Sequence, residues 1–358
     1  MDSQQNQKIT RGIDREMAEK LRPLLLPAVE LFSVVVVARN EQDYLPFLLA
    51  DLREQDFSAA NTEILLIDSL STDGTKQLMA NFRDANPQYR RVVVLDNQGR
   101  FLPHGCNLAL REARGDALVR IDAHASVPPD FLRKSAECLN DGREVCGGPR
   151  PPVLRHPSPW KNLLLTAEKS VFGSGAALAR RGTKPQAVKS VFHGAYRREV
   201  FERVGHYDER LRRTEDNDMS YRIRQAGYTI YFDPAIHSTQ YIRASLGGFL
   251  RQKLSNGYWV GRTLPIQPGC IGFFNLVPAF FVLALILGTI TGLLWSWLPV
   301  LLVVVAYLLA AVAATVLAYR SSQASGGRLA LLPLLFFAMH VAYGLGTLVG
   351  LVRGLIKH

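Results

Sequence analysis

Ser33-Val34-Val35-Val36-Val37-Ala38, followed at once by Arg39-Asn40-Glu41, is the stretch that decides the fold. It is a β-branched run bounded by polar residues, the pattern of a strand buried on both faces inside a parallel sheet. The chain then repeats the theme. Residues 42–54 read as helix and Glu63-Ile64-Leu65-Leu66-Ile67 as a second strand. Thr72 or Asp73 is placed to cap a helix over about 75–85. Arg91-Val92-Val93-Val94-Leu95 reads as a third strand, 103–113 as helix and Ala117-Leu118-Val119-Arg120-Ile121 as a fourth strand. This alternation predicts an α/β domain with a right-handed, mostly parallel, doubly wound sheet. Ligands of such sheets bind outside the carboxyl ends of the strands. Asn40, Asp68 and Asp122 each lie just past a strand end, so the pattern predicts that they converge.

The charge is unevenly spread. The chain has 358 residues and a net charge of +11, yet from residue 269 onward its only charged side chains are Arg320, Arg328, Arg353 and Lys357. That is a membrane-type composition. A basic part could serve nucleic acid, anionic headgroups or anionic small substrates, and the apolar tail favours lipid. No aromatic–basic repeat or RNA-binding motif points to nucleic acid. Three apolar stretches, about 271–295, 298–319 and 329–352, are long enough to cross a hydrocarbon core. Trp295-Ser296-Trp297 suits an outer interface and Arg320 with Arg328 an inner one. Three full crossings would put Arg353 and Lys357 outside, against the positive-inside tendency, so one stretch could be re-entrant or interfacial. Gly346, Gly350 and Gly354 have the spacing of close helix packing, a hint of homo-oligomers. His340 reads as packed or hydrogen-bonded. The four cysteines, Cys106, Cys138, Cys146 and Cys270, show no metal spacing and read as reduced thiols.

The expected organisation is an amphipathic helix within 1–31, carried by Met17, Leu21, Leu24, Leu25 and Val29, then an α/β domain over 32–244. A basic, aromatic juxtamembrane segment over 245–268 and a membrane domain over 269–358 follow. The stretch 141–195, rich in Gly, Pro and basic residues, reads as loops; 197–205 and 216–226 read as helix and 228–232 as strand. The polar start, Met1 to Thr10, has no apolar signal core, which predicts that the soluble part stays in the cytoplasm; with the apolar tail, the expected place is a bacterial-type inner membrane.

Four pieces of sequence carry a resemblance: Val36-Val37-Ala38-Arg39-Asn40-Glu41; Asp68 with Ser71-Thr72-Asp73-Gly74-Thr75; Arg120-Ile121-Asp122-Ala123-His124-Ala125; and Glu215-Asp216-Asn217-Asp218-Met219-Ser220-Tyr221-Arg222-Ile223 before Ala226-Gly227-Tyr228. In this order the chain resembles the inverting family 2 glycosyltransferases of GT-A fold over roughly 32–263. Within the family it looks like the ExoA-type glucosyltransferases of succinoglycan biosynthesis, through Asp-Ala-His-Ala, Phe172-Gly173-Ser174-Gly175, Phe192-His193-Gly194, and Arg251-Gln252 with Asn256-Gly257.

The resemblance implies roles. Asp68 would accept a hydrogen bond from uracil, with Ala38, Asn40 and Glu41 lining the same nucleoside pocket, whereas the plain reading of Asp68 and Asp73 is helix capping. Asp122 and His124 stand where the family carries its DxD motif, which holds a divalent cation against the donor diphosphate. Imidazole in place of the second carboxylate favours Mn²⁺ over Mg²⁺. Arg100 and Asn107 would touch the donor, and Asp216 would be the catalytic base. Its plain alternative is a member of an acidic first helical turn. His193, Gly194 and Glu215 would face the acceptor, and Gly173–Gly175 and Ala195 would belong to the same side. Arg251, Gln252 and Trp259 stand where processive synthases carry QxxRW, but that motif is absent; with Lys253 they would meet a diphosphate or lipid headgroups. The implied activity is transfer of a hexose, glucose by the resemblance, from a UDP-sugar to a polyprenyl-diphosphate-linked glycan. A processive polysaccharide synthase and a non-catalytic membrane scaffold with a degenerate site are the alternatives.

Overall fold

The structure is a computed structural model that describes residues 26–173, 182–242, 245–321 and 327–356. The expected helix within 1–31 lies outside the described residues, save for 26–31, which are not helical. Ser174 and Gly175 also lie outside them. Chain contacts divide the molecule into two compact units: one holds the described residues of Met1–Arg150, Gly182–His206 and Arg222–Ser238, the other those of Pro151–Arg181, Tyr207–Tyr221 and Thr239–His358. Segments 151–173 and 207–221 thus belong with the apolar helices, a division finer than the expected break near 244.

The first unit is an α/β sandwich. Its strands are β1 (Phe32–Ala38), β2 (Thr62–Asp68), β3 (Arg91–Asp96), β4 (Ala117–Arg120), the short β5 (Ala125–Ser126), β6 (Val145–Gly148), β8 (Gln186–Val188), β9 (Phe192–Arg197) and β10 (Ile230–Phe232); β7 (Pro152–Val153) lies in the other unit. Its helices include α1 (Leu45–Arg53), α2 (Thr75–Ala85), α3 (Leu102–Glu112), α4 (Phe131–Asn140) and α6 (Arg198–Val204). The sheet runs β3-β2-β1-β4-β9-β6-β10-β8. Only β9 and β8 run against the rest. Alternate residues of the valine run serve opposite faces. Val34 and Val36 join Leu45, Leu48, Met79, Phe82 and Phe131 on the face covered by α1, α2 and α4. Val35, with Leu65 and Ile67, packs on Ala109 and Ala113 at α3 on the other. Each such side chain contributes about 1.5–3 kcal/mol of burial, which is why β1 tolerates no polar alternation.

The strand order reverses between β1 and β4. The connections from β1 through β3 place α1 and α2 on one face, and α3 then crosses to the other before β4. This is the switch point at which a parallel sheet opens a crevice beyond its carboxyl ends.

The second unit holds β7 and β11 (Thr239–Tyr241), which pair in parallel. It also holds α5 (Pro159–Lys169), the first residues of α7 (Glu215–Gln225), α8 (Leu246–Thr263), α9 (Val277–Leu294), α10 (Leu298–Ser321) and α11 (Leu332–Ile356). The stretch 141–195, expected as loops, therefore supplies β6, β7, α5, β8 and β9. Helix α5 is capped by the Ser158 hydroxyl, which accepts from the Lys161 N–H at 3.3 Å, and starts at Pro159. Leu163, Leu164 and Ala167 bury against Leu332, Leu335 and Phe336. That tertiary support, invisible to local Gly and Pro punctuation, makes it a helix.

Among the described residues, three helices are long and apolar enough to cross a membrane: Val277–Leu294, Leu298–Tyr319 and Arg328–Ile356. Inside them His340 is hydrogen-bonded, as its sequence context predicted. Its Nε2–H donates to the Phe172 carbonyl at 2.8 Å, and its Nδ1 accepts from the Tyr307 hydroxyl at 2.9 Å.

The glycines of α11 are used within the chain. A methyl group on Gly346 or Gly350 would collide with the carbonyls of Leu254 or Tyr258, and one on Gly257 or Gly261 of α8 with those of Tyr343 or Thr347. The contacts advance together along both helices, so α8 and α11 run parallel, backbone against backbone. The spacing expected to hint at homo-oligomers is satisfied by α8. The same register brings Gly354 against Pro265 and Arg262, one residue from Thr263, whose hydroxyl lies 2.6 Å from that of Thr214. Within this unit the C-terminal end of α11, with Arg353, thus lies on the side of Thr214 and Glu215.

Filling this seam is expected to be costly. Gly350→Val should lower the thermal midpoint of the full chain in detergent, by about 1–3 kcal/mol of overpacking. Gly247→Ala, where an added methyl meets nothing within 4 Å, should be neutral or stabilising. Equal midpoints for the two variants would remove the seam from the account.

Candidate functional site

Three strand ends build the floor of the site in the first unit. Ala38 and Asp68 are register partners at the ends of β1 and β2, and Ile121, just past β4, donates its N–H to the Val35 carbonyl at 3.0 Å. Asn40, Asp68 and Asp122 are therefore delivered by adjacent strands to the same edge. The turns beyond β1 and β2 are tied together. Asn40 takes a left-handed backbone conformation (φ 55°) that Asn tolerates better than most residues. Its side-chain oxygen accepts from the Thr72 N–H at 2.9 Å. The Asn40 N–H donates to the Ser71 hydroxyl at 3.0 Å and the Glu41 N–H to Thr75 Oγ1 at 2.7 Å. Asp68 is buried and accepts from the Ser71 N–H at 3.1 Å. Asp73 accepts from the Thr75 N–H at 3.0 Å, one residue ahead of the N-cap, Gly74. Its turn-holding role is thus the plain one, while Asp68 combines a turn contact with a place at the crevice.

Sequence reasoning missed Asn97. Its N–H donates to the Asp68 carbonyl at 2.7 Å, and its amide donates to the Ser69 hydroxyl at 2.9 Å. It fixes the Asp68 turn from β3. Arg100 is exposed, with φ 63°, three residues further on, and Asn107 is buried in α3.

Asp122 is the most constrained carboxylate of this edge. Arg150 Nη1 donates to its Oδ2 at 3.0 Å, His193 Nε2 lies 3.3 Å from the same oxygen, and Arg120 Nη2 lies 3.7 Å from Oδ1. Arg150 is itself held with its guanidinium 3.9 Å over the Phe192 ring. Burial alone would raise the Asp122 carboxyl; its contacts with His193, Arg120 and Arg150 prevail and hold it well below the usual carboxylate range. Burial pulls His193 down to about 4, against the pull of Asp122. At neutral pH this imidazole is therefore neutral, and the permanent positive charge on Asp122 comes from the two arginines. The Ser238 hydroxyl lies 2.8 Å from His193 Nδ1; when it donates there, Nε2–H is left facing Asp122.

His193 is thus a buried support of Asp122, not a group open to an acceptor, and Gly194 is buried in β9 beside it. The sequence signal for Arg150 was present but unused: a lone arginine closing the Gly147-Gly148-Pro149 run.

His124 is half-buried, with Nδ1 3.4 Å from Glu41 Oε1. Among the described residues no three His, Cys, Asp or Glu side chains gather as a ready-made metal cage. Asp122 and His124 offer one carboxylate and one imidazole and leave the remaining positions open. That set fits an Mn²⁺- or Mg²⁺-type ion, which keeps waters and takes phosphate oxygens.

The second unit presents the other acidic cluster. Glu215, Asp216 and Asp218 occupy the first turn of α7, where the helix dipole favours them. Glu215 and Asp218 are buried. Asp216 is half-buried and, among the described residues, accepts its neighbour's N–H, from Asn217 at 2.8 Å. In α8, Arg251 and Gln252 are exposed and Trp259 lies under the Arg212 guanidinium at 5.6 Å. Lys253, expected beside a diphosphate, is buried and paired with Glu168 at 2.5 Å, so it staples α8 to α5. The cysteines are free thiols, and all but Cys270 are buried.

Comparison with known proteins gives a consistent answer. Residues 33–205 match the model of the glycosyl transferase family 2 domain. The succinoglycan biosynthesis protein ExoA of Rhizobium meliloti is 30% identical over 232 residues, 64% of this chain and 68% of that protein. The dolichyl N-acetyl-alpha-D-glucosaminyl phosphate 3-beta-D-2,3-diacetamido-2,3-dideoxy-beta-D-glucuronosyltransferase of Methanococcus voltae is 23% identical over 91% of this chain and 98% of its own. Among solved structures, the mannosyltransferase PcManGT from Pyrobaculum calidifontis, in complex with GDP-Man and Mn²⁺, superposes with a TM-score of 0.56. It covers 94% of this chain and 97% of its own at 18% identity, a likeness of fold.

The Asp122–His193 pair gives the first unit a defined acid response. Between its ordinary value of 6.5 and about 4, His193 takes up a proton in the unfolded chain but not in the folded one. Stability is therefore whole above pH 6.5 and falls as pH drops toward 4, with a slope of up to one proton; from about 3.8 downward the unfolded chain's Asp122 carboxyl takes up a proton that the folded one resists, which extends the fall. Chemical unfolding followed from pH 7 to pH 4 should show this slope, and His193→Asn should flatten it. An unchanged slope in the variant would remove His193 from the account.

Proposed function

The chain belongs to glycosyl transferase family 2, and from that premise we propose that it moves a hexose from a UDP-sugar to a polyprenyl-diphosphate-linked glycan at the cytoplasmic face of a membrane, with inversion. It is a membrane-associated glycosyltransferase related to enzymes of exopolysaccharide and lipid-linked glycan synthesis. The observation that carries the proposal is the Asp122 carboxylate, clamped by Arg150 and His193 beyond β4, with Asn40 and Asp68 at the neighbouring strand ends. Support for a lipid-linked acceptor comes from the apolar helices and from the Methanococcus voltae relative, whose name specifies a dolichyl phosphate-linked sugar. ExoA is named for succinoglycan biosynthesis, which favours an exopolysaccharide product.

In this reading Asp68 accepts the uracil N–H, and Ala38, Asn40 and Glu41 shape the nucleoside pocket. Arg100 and Asn107 contact the donor. Asp122 and His124 would hold a divalent cation, a view favoured by the Mn²⁺ bound in the fold neighbour; when bound, it would offset charge growing on the leaving diphosphate. Arg150 and His193 keep Asp122 ionised and aimed, so no reorganisation is needed when the donor arrives. Asp216 takes the proton of the acceptor hydroxyl as that oxygen attacks the anomeric carbon from the face opposite the diphosphate. Glu215, one residue before Asp216 in the same helical turn, faces the acceptor side.

Asp216→Asn is expected to lower kcat by about 10²–10⁴-fold, the scale of a lost general base, while UDP binding stays at the wild-type level. Transfer from a panel of UDP- and GDP-sugars, each with and without Mn²⁺, identifies the donor and the metal dependence together. Near-normal turnover by Asp216→Asn would sink the assignment of the base. Transfer unaffected by chelation would do the same for the cation.

A further inference from the structure

Helix α8 carries Arg251, Ser255, Tyr258 and Arg262 at intervals of four, three and four residues, which puts them along one stripe. The glycine seam holds α11 beside that stripe and brings Arg353 in from the side, its guanidinium 5.9 Å from the Tyr258 ring. Burial alone would raise the Tyr258 phenol; contacts with Arg353 and then Arg262 instead hold it below the usual range. Two guanidinium groups therefore share one phenol. Among the described residues, no carboxylate comes within ion-pair distance of Arg251, Arg262 or Arg353, and Arg262 Nε is buried without a hydrogen-bond partner. Like charges gathered without a counter-ion are unfavourable unless an anion completes them. The planar fork of arginine matches phosphate oxygens in pairs.

The surroundings narrow the anion. Next to Arg353, α11 exposes Val349, Val352, Leu355 and Ile356, and Leu254 is exposed on α8. An anionic head beside an open apolar surface suits an amphiphile better than a free nucleotide. The same end of α8 reaches the acidic cluster: Thr263, one residue past Arg262, meets Thr214, one residue before Glu215. Arg213 on that loop donates to Asn256 Oδ1 at 2.8 Å.

We propose that Arg262 and Arg353, with Arg251 at the margin, form a binding site for the phosphate or diphosphate of a lipid carrier. The site seats the carrier's head beside the loop that bears Asp216 and lays its chain along α11. This rests on the lipid-linked acceptor proposed above and identifies the residues that hold it. It replaces Gln252 and Lys253 as the anion contacts: Gln252 carries no charge, and Lys253 is committed to Glu168.

The test uses the full chain in nanodiscs of neutral phosphatidylcholine, with farnesyl diphosphate as the probe and farnesol as its uncharged counterpart. Wild type should bind farnesyl diphosphate and not farnesol. Arg262→Gln and Arg353→Gln should each weaken binding about tenfold, the scale of one lost charge-assisted hydrogen bond, while UDP binding is unchanged. Arg262→Lys, which keeps the charge but loses the fork, should fall between. Absence of farnesyl diphosphate binding by wild type, equal binding of farnesol, or wild-type affinity in both Gln variants would each overturn the site. A further arm measures flotation of the protein on vesicles with and without phosphatidylglycerol. Variants that lose only this flotation, with farnesyl diphosphate binding intact, would show a bulk headgroup patch and overturn the carrier site. Failure of every nucleotide-sugar as donor, with farnesyl diphosphate binding and its arginine dependence intact, would count against the transferase reaction proposed and still support the site.

Discussion

The register of β1 against β2 and β4 is the constraint from which the first unit follows. Ala38 opposite Asp68, and Ile121 on the Val35 carbonyl, leave no freedom in where the next residues emerge. A slip of one residue would turn the valine run inside out, sending Val34 and Val36 to the face now filled by α3 and Val35 to that of α1. Because both faces are fully packed, that slip is prohibitively unfavourable. The far end of the same strands is fixed separately: Glu63, buried, accepts from Arg91 Nε at 2.6 Å and from the Gly115 N–H at 3.1 Å, and it also meets Ser33. A structural acid locks one edge, so the acids at the other edge are free of that duty.

Much of this was legible in the sequence because its signals are local. The strand–helix alternation from 33 to 121 rests on β-branched runs and amphipathic spacing, and the helix at Thr75–Ala85 appears where it was read. Asp68 and Asp122 were found by position after a strand, a rule that needs no contacts. What was missed is tertiary. Helix α5 depends on Leu163 and Leu164 finding Leu332 and Phe336, more than 160 residues away. The second role of His193 needed Arg150 and Ser238 to be in place around it, and neither lies near it in sequence. Spacing can say which residues stand at a strand end, but not which buried partner holds them there.

The glycines of α11 show how one pattern supports two readings. Small residues every fourth position license a close helix contact and do not say with which helix. The partner proved to be α8, a segment with too many polar residues to be read as a membrane helix, yet with Gly257 and Gly261 at the matching interval. That choice also bears on the awkward charge at the end of the chain. Arg353, which looked misplaced for a third crossing, is carried by the α8 contact to the side of Thr214 and Glu215, beside Arg262.

Two ways of keeping a cation in this unit can be compared directly. Lys253 is buried and matched to Glu168 at 2.5 Å, with the Phe249 ring 5.0 Å away. Such a pair gains little net stability because desolvation offsets much of the attraction, but it is complete, and an approaching anion would find nothing to bind. Arg262 and Arg353 are placed by an equally tight backbone contact and yet, among the described residues, share a phenol and no carboxylate. Rigid placement without a counter-charge costs stability and gives none back to the fold. The difference between the two arrangements is therefore not one of packing. It is that the first closes its electrostatics inside the protein, whereas the second leaves them to be closed by a ligand.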